Sequence, residues 1–561
     1  MDHHQKGENT KAVELYKKFL SDGGKDKRAY TNLAALLRSE DNPEEAMQIA
    51  RTGLKETDEN SPILLNTLGN CLRDLNRNCE AITAYKKSLK NHGDYFDPQI
   101  SIVGILYDMG LKKLSDLSLM KLFNHYGMDK KQILNQIIAR EVDNASNENR
   151  KINQCLDIII EYAEKLKSNK DKVAPNHWYI LSQLCCSKEK LIEAEKYYDK
   201  GVLLSQKIIE AESNEDLKKK IKEIYTIASW NFSCQLLKHG KMKLGWQLFD
   251  HGLNTPAEGA QKWQRALFKP FSSAKVKPWR GEDLSNKTIL LLGEQGIGDT
   301  MAFMTLISPI IDKAKRVHII VPQRLHAIYK RSLVNCTVYS DKEVRDKPLN
   351  ENLFDYQCAL GSVPQYLFED LQSFKDRKFQ ILANRENAKL LREQYRRNDN
   401  RKIIGISWQG GGRKDRIKDK SIELGNLLVT LKKYNVRILS LQYGDDNKIV
   451  KKAAARFDVD FLDDVNIEAT KNMDTWLDQV EACDGVVSIA NTTIHGAGSL
   501  KKPTLCLLGA KSDWRWLSDK NEKFSYWYPS VEIAWQDGES KDWGPALAKI
   551  DPWIQQIIHE R

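Results

Sequence analysis

The spacing of small and aromatic residues in the first ninety positions restricts this chain more than any other feature. Ala12-x-x-x-Tyr16, Ala46-x-x-x-Ala50 and Ala81-x-x-x-Tyr85 recur 34 and 35 residues apart, and Leu33-Ala34-x-x-Leu37 and Leu68-Gly69-x-x-Leu72 precede the second and third. A small residue where two helices cross, with an aromatic filling the next groove, specifies stacked antiparallel helix pairs. Each pair keeps an exposed apolar face until a neighbour covers it, so such a segment folds as an array.

This is the tetratricopeptide pattern. Helical periodicity continues from Asp94 to Lys172 without the signature, which returns at Trp178 to Gly201 (Leu181, Ala194-x-x-x-Tyr198) and at Ile227 to Gly252 (Gly245-Trp246, Phe249). The reading is an α superhelical, tetratricopeptide-like array over residues 1–268. Its Leu, Ala and Tyr positions are core, and its concave surface suits a peptide or protein. Residues 269–287, with Pro270, Pro278 and the Trp279-Arg280-Gly281 group, have neither helical nor strand periodicity and read as a linker.

Beyond the linker, short apolar runs alternate with amphipathic ones, as parallel sheets require. Strands are predicted at 288–292, 316–321, 354–360, 403–408, 437–442, 459–462, 484–489 and 503–508. Helices are predicted at 299–314, 323–333, 422–433, 446–456 and 474–482. The pattern divides into two Rossmann-like lobes, 288–395 and 396–561, separated by a helix and the charged turn from Arg396 to Asn400. The cleft between such lobes is the natural ligand site.

Composition narrows the functional classes. The 561 residues are 41% hydrophobic and 29% charged with a formal charge of +11, an ordinary globular balance with no aromatic-studded basic module for nucleic acid. The ten cysteines are scattered without a C-x-x-C pair, which disfavours zinc and redox motifs. The start lacks a signal peptide's apolar core and no run reaches membrane-span length, so a cytoplasmic protein is expected.

The second half is organised around Thr288 to Thr300, Thr-Ile-Leu-Leu-Leu-Gly-Glu-Gln-Gly-Ile-Gly-Asp-Thr: strand, glycine turn, helix. Such a turn brings backbone N–H groups to the carboxyl end of a strand, where α/β folds hold anions. A Walker loop needs Lys before Ser/Thr, but Asp299 precedes Thr300. A dinucleotide fingerprint needs G-x-G-x-x-G, but Gly293, Gly296 and Gly298 are spaced G-x-x-G-x-G. An acid at this mouth suits a general base beside a nucleotide diphosphate, or else simply caps its helix.

Three further groups follow strand ends. Trp408 to Lys414, continuing to Lys418-Asp419-Lys420-Ser421, contains Gly410, Gly411 and Gly412 followed by Arg413 and Lys414. Cations behind a glycine run suit a diphosphate leaving group, and a solvated loop is the competing reading. Asn491-Thr492-Thr493-Ile494-His495-Gly496 is a polar turn opening a small-residue helix, where His495 either binds a donor or belongs to the cap. In Ser512-Asp513-Trp514-Arg515-Trp516 the aromatics either stack on a base or pack the domain.

With these residues in view, 278–545 resembles the heptosyltransferase-related glycosyltransferases fused to tetratricopeptide repeats. The carriers are Pro278-Trp279-x-Gly281, Gly293-Glu294-Gln295-Gly296-x-Gly298-Asp299-Thr300, Ser421-Ile422-x-Leu424, Leu441 to Asp445, Asn491-Thr492-Thr493-x-His495, Asp513 to Trp516 and Trp527-Tyr528-Pro529. The resemblance implies a two-lobed GT-B fold and an inverting transfer from a nucleotide sugar without a cofactor or bound metal. By motif it implies Asp299 as general base and Lys420 as the cation facing the departing diphosphate. Gly298, Thr300, Gly410, Gly411, Arg413, Lys414, Asn491, Thr492, Thr493, His495 and Trp514 then bind the donor. The sequence departs from the family at Ala490, where the family carries an acid five residues before the histidine. The expected partners are a nucleotide-sugar donor and a protein acceptor selected by the repeats. The alternatives are a lipopolysaccharide or other glycan acceptor, or a repeat scaffold with a silent transferase domain.

Overall fold

In the computed structural model the chain forms two compact units, 1–144 and 145–561. The structure describes residues 9–126, 133, 175–254, 265 and 268–559, apart from 41, 188, 376, 378, 398, 412–419, 445–446, 511, 539 and 541. The helical stretch expected at 127–174 lies outside the described residues, Ile133 excepted.

The first unit is a series of helix pairs: α1 (Asn9–Ser21), α2 (Lys27–Ser39), α3 (Pro43–Glu56), α4 (Pro62–Asp74), α5 (Asn78–Asn91), α6 (Phe96–Asp108) and α7 (Lys112–Tyr126). Turn chemistry sets the starts: Asp26 accepts the Arg28 N–H at 2.8 Å, and Asn42 caps α3 with Pro43 in its first turn. The repeat positions act as expected. Ala46, Ala50 and Ala81 are fully buried. A Cβ on Gly69 would lie 2.5 Å from the Tyr85 ring, so only glycine lets α4 and α5 cross this closely.

Among its described residues the second unit first shows the same grammar in α8 (Pro175–Ser187), α9 (Leu191–Ala211), α10 (Glu215–Lys238) and α11 (Met242–Phe249). A Cβ on Gly201 would meet the Tyr179 ring at 2.5 Å, and buried tyrosines are satisfied across pairs, Tyr179 with Ser205 at 2.9 Å and Tyr198 with Ser229 at 2.8 Å. The chain is thus a tetratricopeptide-like helical array followed by two parallel α/β lobes.

The first lobe holds β1 (Lys277–Pro278), β2 (Thr288–Leu292), β3 (Arg316–Val321), β4 (Thr337–Ser340) and β5 (Tyr356–Ala359), all parallel, in the order β1-β5-β2-β3-β4. The stretch 269–287 therefore supplies an edge strand, with Val276 and Trp279 buried. The helix predicted over 299–314 is two pieces, α12 (Ile297–Met304) and α13 (Ser308–Lys313), with Pro309 in the first turn of the second. Proline at that position favours starting a helix over continuing one. Helix α14 (His326–Ser332) links β3 to β4, and α15 (Arg385–Arg396) leads into the second lobe.

The second lobe holds β6 (Lys402–Ser407), α16 (Leu424–Leu431), β7 (Val436–Ser440), α17 (Asn447–Phe457), β8 (Phe461–Leu462), α18 (Met473–Ala482), β9 (Gly485–Ile489), α19 (Thr492–Ser499), β10 (Thr504–Leu508), β11 (Val531–Trp535) and α20 (Ile550–His559). Its sheet order is β11-β10-β9-β6-β7-β8, all parallel, the doubly wound arrangement. In each lobe the direction of winding reverses beside the first central strand, between β2 and β5 and between β6 and β9. Ligand crevices form beyond the carboxyl ends of strands at such switch points.

One aromatic core joins the three parts of this unit. Trp246 and Phe249 come from α11, Phe303 from α12, and Trp514 and Trp527 from the second lobe. Trp246 lies 5.8 Å from Trp514, 6.2 Å from Trp527 and 6.4 Å from Phe303, edge to face in each case.

Candidate active site

The glycine turns sit where the switch points place them, after β2, β6 and β9. Helices α12 and α19 meet at their N-terminal ends, because Gly298 has no side chain. A Cβ there would lie 2.7 Å from His495 Cδ2 and 3.3 Å from Nε2.

Asp299 stands in the first turn of α12 and uses both oxygens. One accepts the Gly296 N–H at 3.0 Å, so the capping role considered from sequence is real. The other accepts the Arg515 guanidinium, Nε at 2.7 Å and one terminal nitrogen besides. Arg515 belongs to the loop after β10, so this ion pair bridges the two lobes. It also donates to Gln295 Oε1 at 3.3 Å and pairs with Asp513 at 3.2 Å, while its guanidinium carbon lies 4.3 Å from the Trp514 ring centre. Lys420 completes the chain of charges, its Nζ 3.8 Å from the same Asp513 carboxylate. Burial pushes Asp513 up, but Arg515 and Lys420 outweigh it and hold the carboxyl below its ordinary range. Burial likewise pulls Arg515 down, and Asp299 and Asp513 more than offset it.

The turn after β9 is held from within. Asn491 caps α19 by accepting the Thr493 N–H at 2.9 Å, and its amide donates to Ser407 at 2.7 Å, tying the ends of β9 and β6 together. Gln442 does the same for the β6 loop: its Oε1 accepts from Ser407 Oγ at 3.0 Å, Trp408 N–H at 3.1 Å and Gln409 N–H at 2.9 Å. In that loop Gly410 N–H donates to Ser421 Oγ at 3.3 Å, and a Cβ on Gly411 would meet the Tyr443 hydroxyl at 2.3 Å. Arg413 and Lys414 lie outside the described residues.

Several residues expected to touch a donor have other work. Trp514 is buried in the aromatic core and offers no free stacking face on that side, because helix α11 brings Trp246 and Phe249 against it. Thr300 is fully buried, its hydroxyl donating to the Glu294 carbonyl at 3.0 Å, which closes the glycine turn. Thr493 is buried. His495 is 7% exposed, 3.0 Å from the Tyr528 hydroxyl through Nδ1, and burial lowers its pKa to about 4, so it is neutral at pH 7. Thr492 remains partly exposed beside Asn491. Ala490 packs against the main core.

Sequence reading missed a second layer behind the turn. Arg265 is buried and forks onto Glu294, with Nε to Oε2 at 2.9 Å and a terminal nitrogen to Oε1 at 3.0 Å. Its other terminal nitrogen reaches Asp250 at 2.6 Å, and Glu294 also accepts the Gly361 N–H at 2.6 Å. Arg265 thus fixes Glu294, the residue after Gly293 in the glycine turn. Glu294 stands in the quoted motif, but its partner 29 residues upstream has no motif to mark it.

A cavity of about 430 Å³ opens beside this turn, lined by Gln295, Pro322, Lys269, Asp341 and Arg345 among others. Gln295 has a left-handed φ of 58°, and its Nε2 is buried without a partner among the described residues. Also among the described residues, no group of His, Cys, Asp and Glu is arranged to hold a metal ion, and no helix is long and apolar enough to cross a membrane.

Helix-pair repeats joined to two parallel, doubly wound lobes that touch at their switch-point turns define the class by architecture: a tetratricopeptide-like array followed by two Rossmann-like lobes. No family model matches the chain. Protein FlbA of Caulobacter vibrioides is 23% identical over 329 residues, 56% of this chain and 52% of that protein, so the chain spans about half the length of the curated relative it matches. Similar solved structures include a family 9 glycosyl transferase from Veillonella parvula, at 9% identity and TM-score 0.37, covering 50% of this chain and 100% of that one. Another is the ADP-heptose lps heptosyltransferase II of E. coli, at 12% identity and TM-score 0.34, covering 48% and 99%. For the helical part, YrrB, a TPR protein with an unusual peptide-binding site, gives 17% identity and TM-score 0.22, covering 34% and 93%.

Proposed function

We propose that this chain is a glycosyltransferase that moves a sugar from a nucleotide-sugar donor to a protein acceptor selected by the repeats, by a metal-independent inverting mechanism. The observation that carries the reading is the ion pair of Asp299, on the first lobe's switch-point turn, with Arg515 in the loop after β10 of the second lobe, to which Lys420 is tied through Asp513. A carboxylate on one lobe and cations on the other are what the reaction needs at its two ends. Asp299 takes the proton of the acceptor hydroxyl as its oxygen attacks the anomeric carbon. The bond from that carbon to the phosphate oxygen breaks on the opposite face, and Lys420 and the Gly410–Gly411 loop stabilise the charge that leaves. The repeats raise the local concentration of the acceptor at the cleft.

The test is to incubate the full chain with a panel of nucleotide sugars and candidate acceptor proteins, and to read glycan mass on the protein and nucleotide release. Transfer to a polypeptide supports the reading. Transfer only to a glycan moves the acceptor to the alternative class, and neither transfer nor donor hydrolysis leaves a scaffold.

A further inference from the structure

We propose that Arg515 is a phosphate ligand that Asp299 and the donor compete for. The incoming phosphate takes the guanidinium from Asp299 and so releases the carboxylate for proton abstraction. The inference rests on the functional reading above and adds a residue and an order of events to it.

Asp299 has both oxygens engaged, one by the Gly296 N–H and the other by Arg515, so neither is open to an acceptor hydroxyl. A base in this position therefore has to lose its partner. Arg515 is suited to leave. Its planar fork matches phosphate as well as carboxylate. Its backbone is fixed independently of Asp299, with the N–H donating to Asp513 at 3.0 Å and the carbonyl accepting Trp527 Nε1 at 3.1 Å. Asp513 and the Trp514 ring keep the guanidinium close while it changes partner. Lys420, on the same carboxylate, supplies a second cation beside it.

Gln295 marks the other side of the exchange. Its carbonyl oxygen accepts from Arg515 while its amide nitrogen is buried without a partner among the described residues, on a backbone held at φ 58°. Strained backbone and an unsatisfied buried donor are retained where a rearrangement uses them. Withdrawal of Arg515 frees Gln295 to turn its amide toward the neighbouring cavity.

Calorimetric titration of the full chain with inorganic pyrophosphate tests this. Asp299→Asn removes the competitor, so it is expected to bind pyrophosphate about two- to fivefold more tightly than the unaltered chain, the range for loss of a partly exposed ion pair. Arg515→Lys keeps the charge without the fork and is expected to bind about tenfold more weakly. In the Arg515→Lys background Asp299→Asn is expected to give no gain, which separates competition for Arg515 from simple removal of a negative charge. Circular dichroism of each variant checks folding. Equal or weaker binding by Asp299→Asn, a gain that persists in the Lys background, or no binding to any variant overturns the proposal. Tightening without turnover of any nucleotide sugar leaves the exchange standing and removes the glycosyltransferase reading. Turnover with unchanged pyrophosphate affinity does the reverse.

Discussion

Gly298 and His495 are packed back to back across the two lobes, with room for no atom between the glycine Cα and the imidazole edge. The contact is between the first turns of α12 and α19, so the glycine that serves the first lobe's turn also sets how near the second lobe approaches. Gly298→Ala is expected to destabilise the protein by about 1–3 kcal/mol, the range for overpacking a tight contact. A urea midpoint equal to that of the unaltered chain would mean that His495 yields freely.

Asp299→Asn is expected to lower sugar transfer by a factor on the order of 10²–10⁴, the usual contribution of a general base. Asn can still accept the Gly296 N–H but no longer pairs its charge with Arg515, so circular dichroism is needed to show that the variant is folded. Unreduced turnover would assign the carboxylate to capping and lobe pairing alone.

Stability is expected to fall in mild acid partly through His495. Its folded pKa is about 4 against an ordinary 6.5, with burial the main cause. Above the ordinary value both states are neutral and the group contributes nothing. Between the two values only the unfolded chain binds the proton, so stability is lost progressively as pH falls through that window. From pH 6.5 to 5 the loss from this group is about 1.5 kcal/mol. Denaturant midpoints at those two pH values, for the unaltered chain and His495→Gln, should differ by that excess.

Arg265→Leu is expected to cost about 3–5 kcal/mol, because Glu294 would stay buried without its partner. Adding Glu294→Leu should recover much of the loss, since two apolar side chains replace a buried pair more cheaply than one stranded charge. A chain starting near Ser272 loses Arg265, Trp246 and Phe249 together, and is expected to aggregate. A soluble monomer from that start point, by size-exclusion chromatography, would contradict this.

What could be read from sequence follows from how local each signal is. Strands β2, β3, β6, β9 and β10 are nearly continuous apolar runs because they lie between covered faces, and they stand where expected. Strands β4 and β11 were not expected. Thr-Val-Tyr-Ser and Val-Glu-Ile-Ala-Trp are only partly buried, so neither forms an apolar run. The turn residues Asp299, Asn491 and Gly410 were legible because turn chemistry is carried by adjacent positions. The partner of Asp299 was not, since Arg515 lies 216 residues away and only the packing of one lobe on the other brings them together. Trp514 was read as either a stacking platform or core, and helix α11 decides between them.

The shared aromatic core has a mechanical consequence. A two-lobed protein usually admits its ligands by bending at a hinge between the lobes. Here Trp246 and Phe249 are wedged against Phe303 from one lobe and Trp514 from the other, so opening the seam would pull a helix out of its own packing. Movement at the seam is thereby left to side chains rather than to lobes that part, and helix α11 acts as a brace between the two lobes.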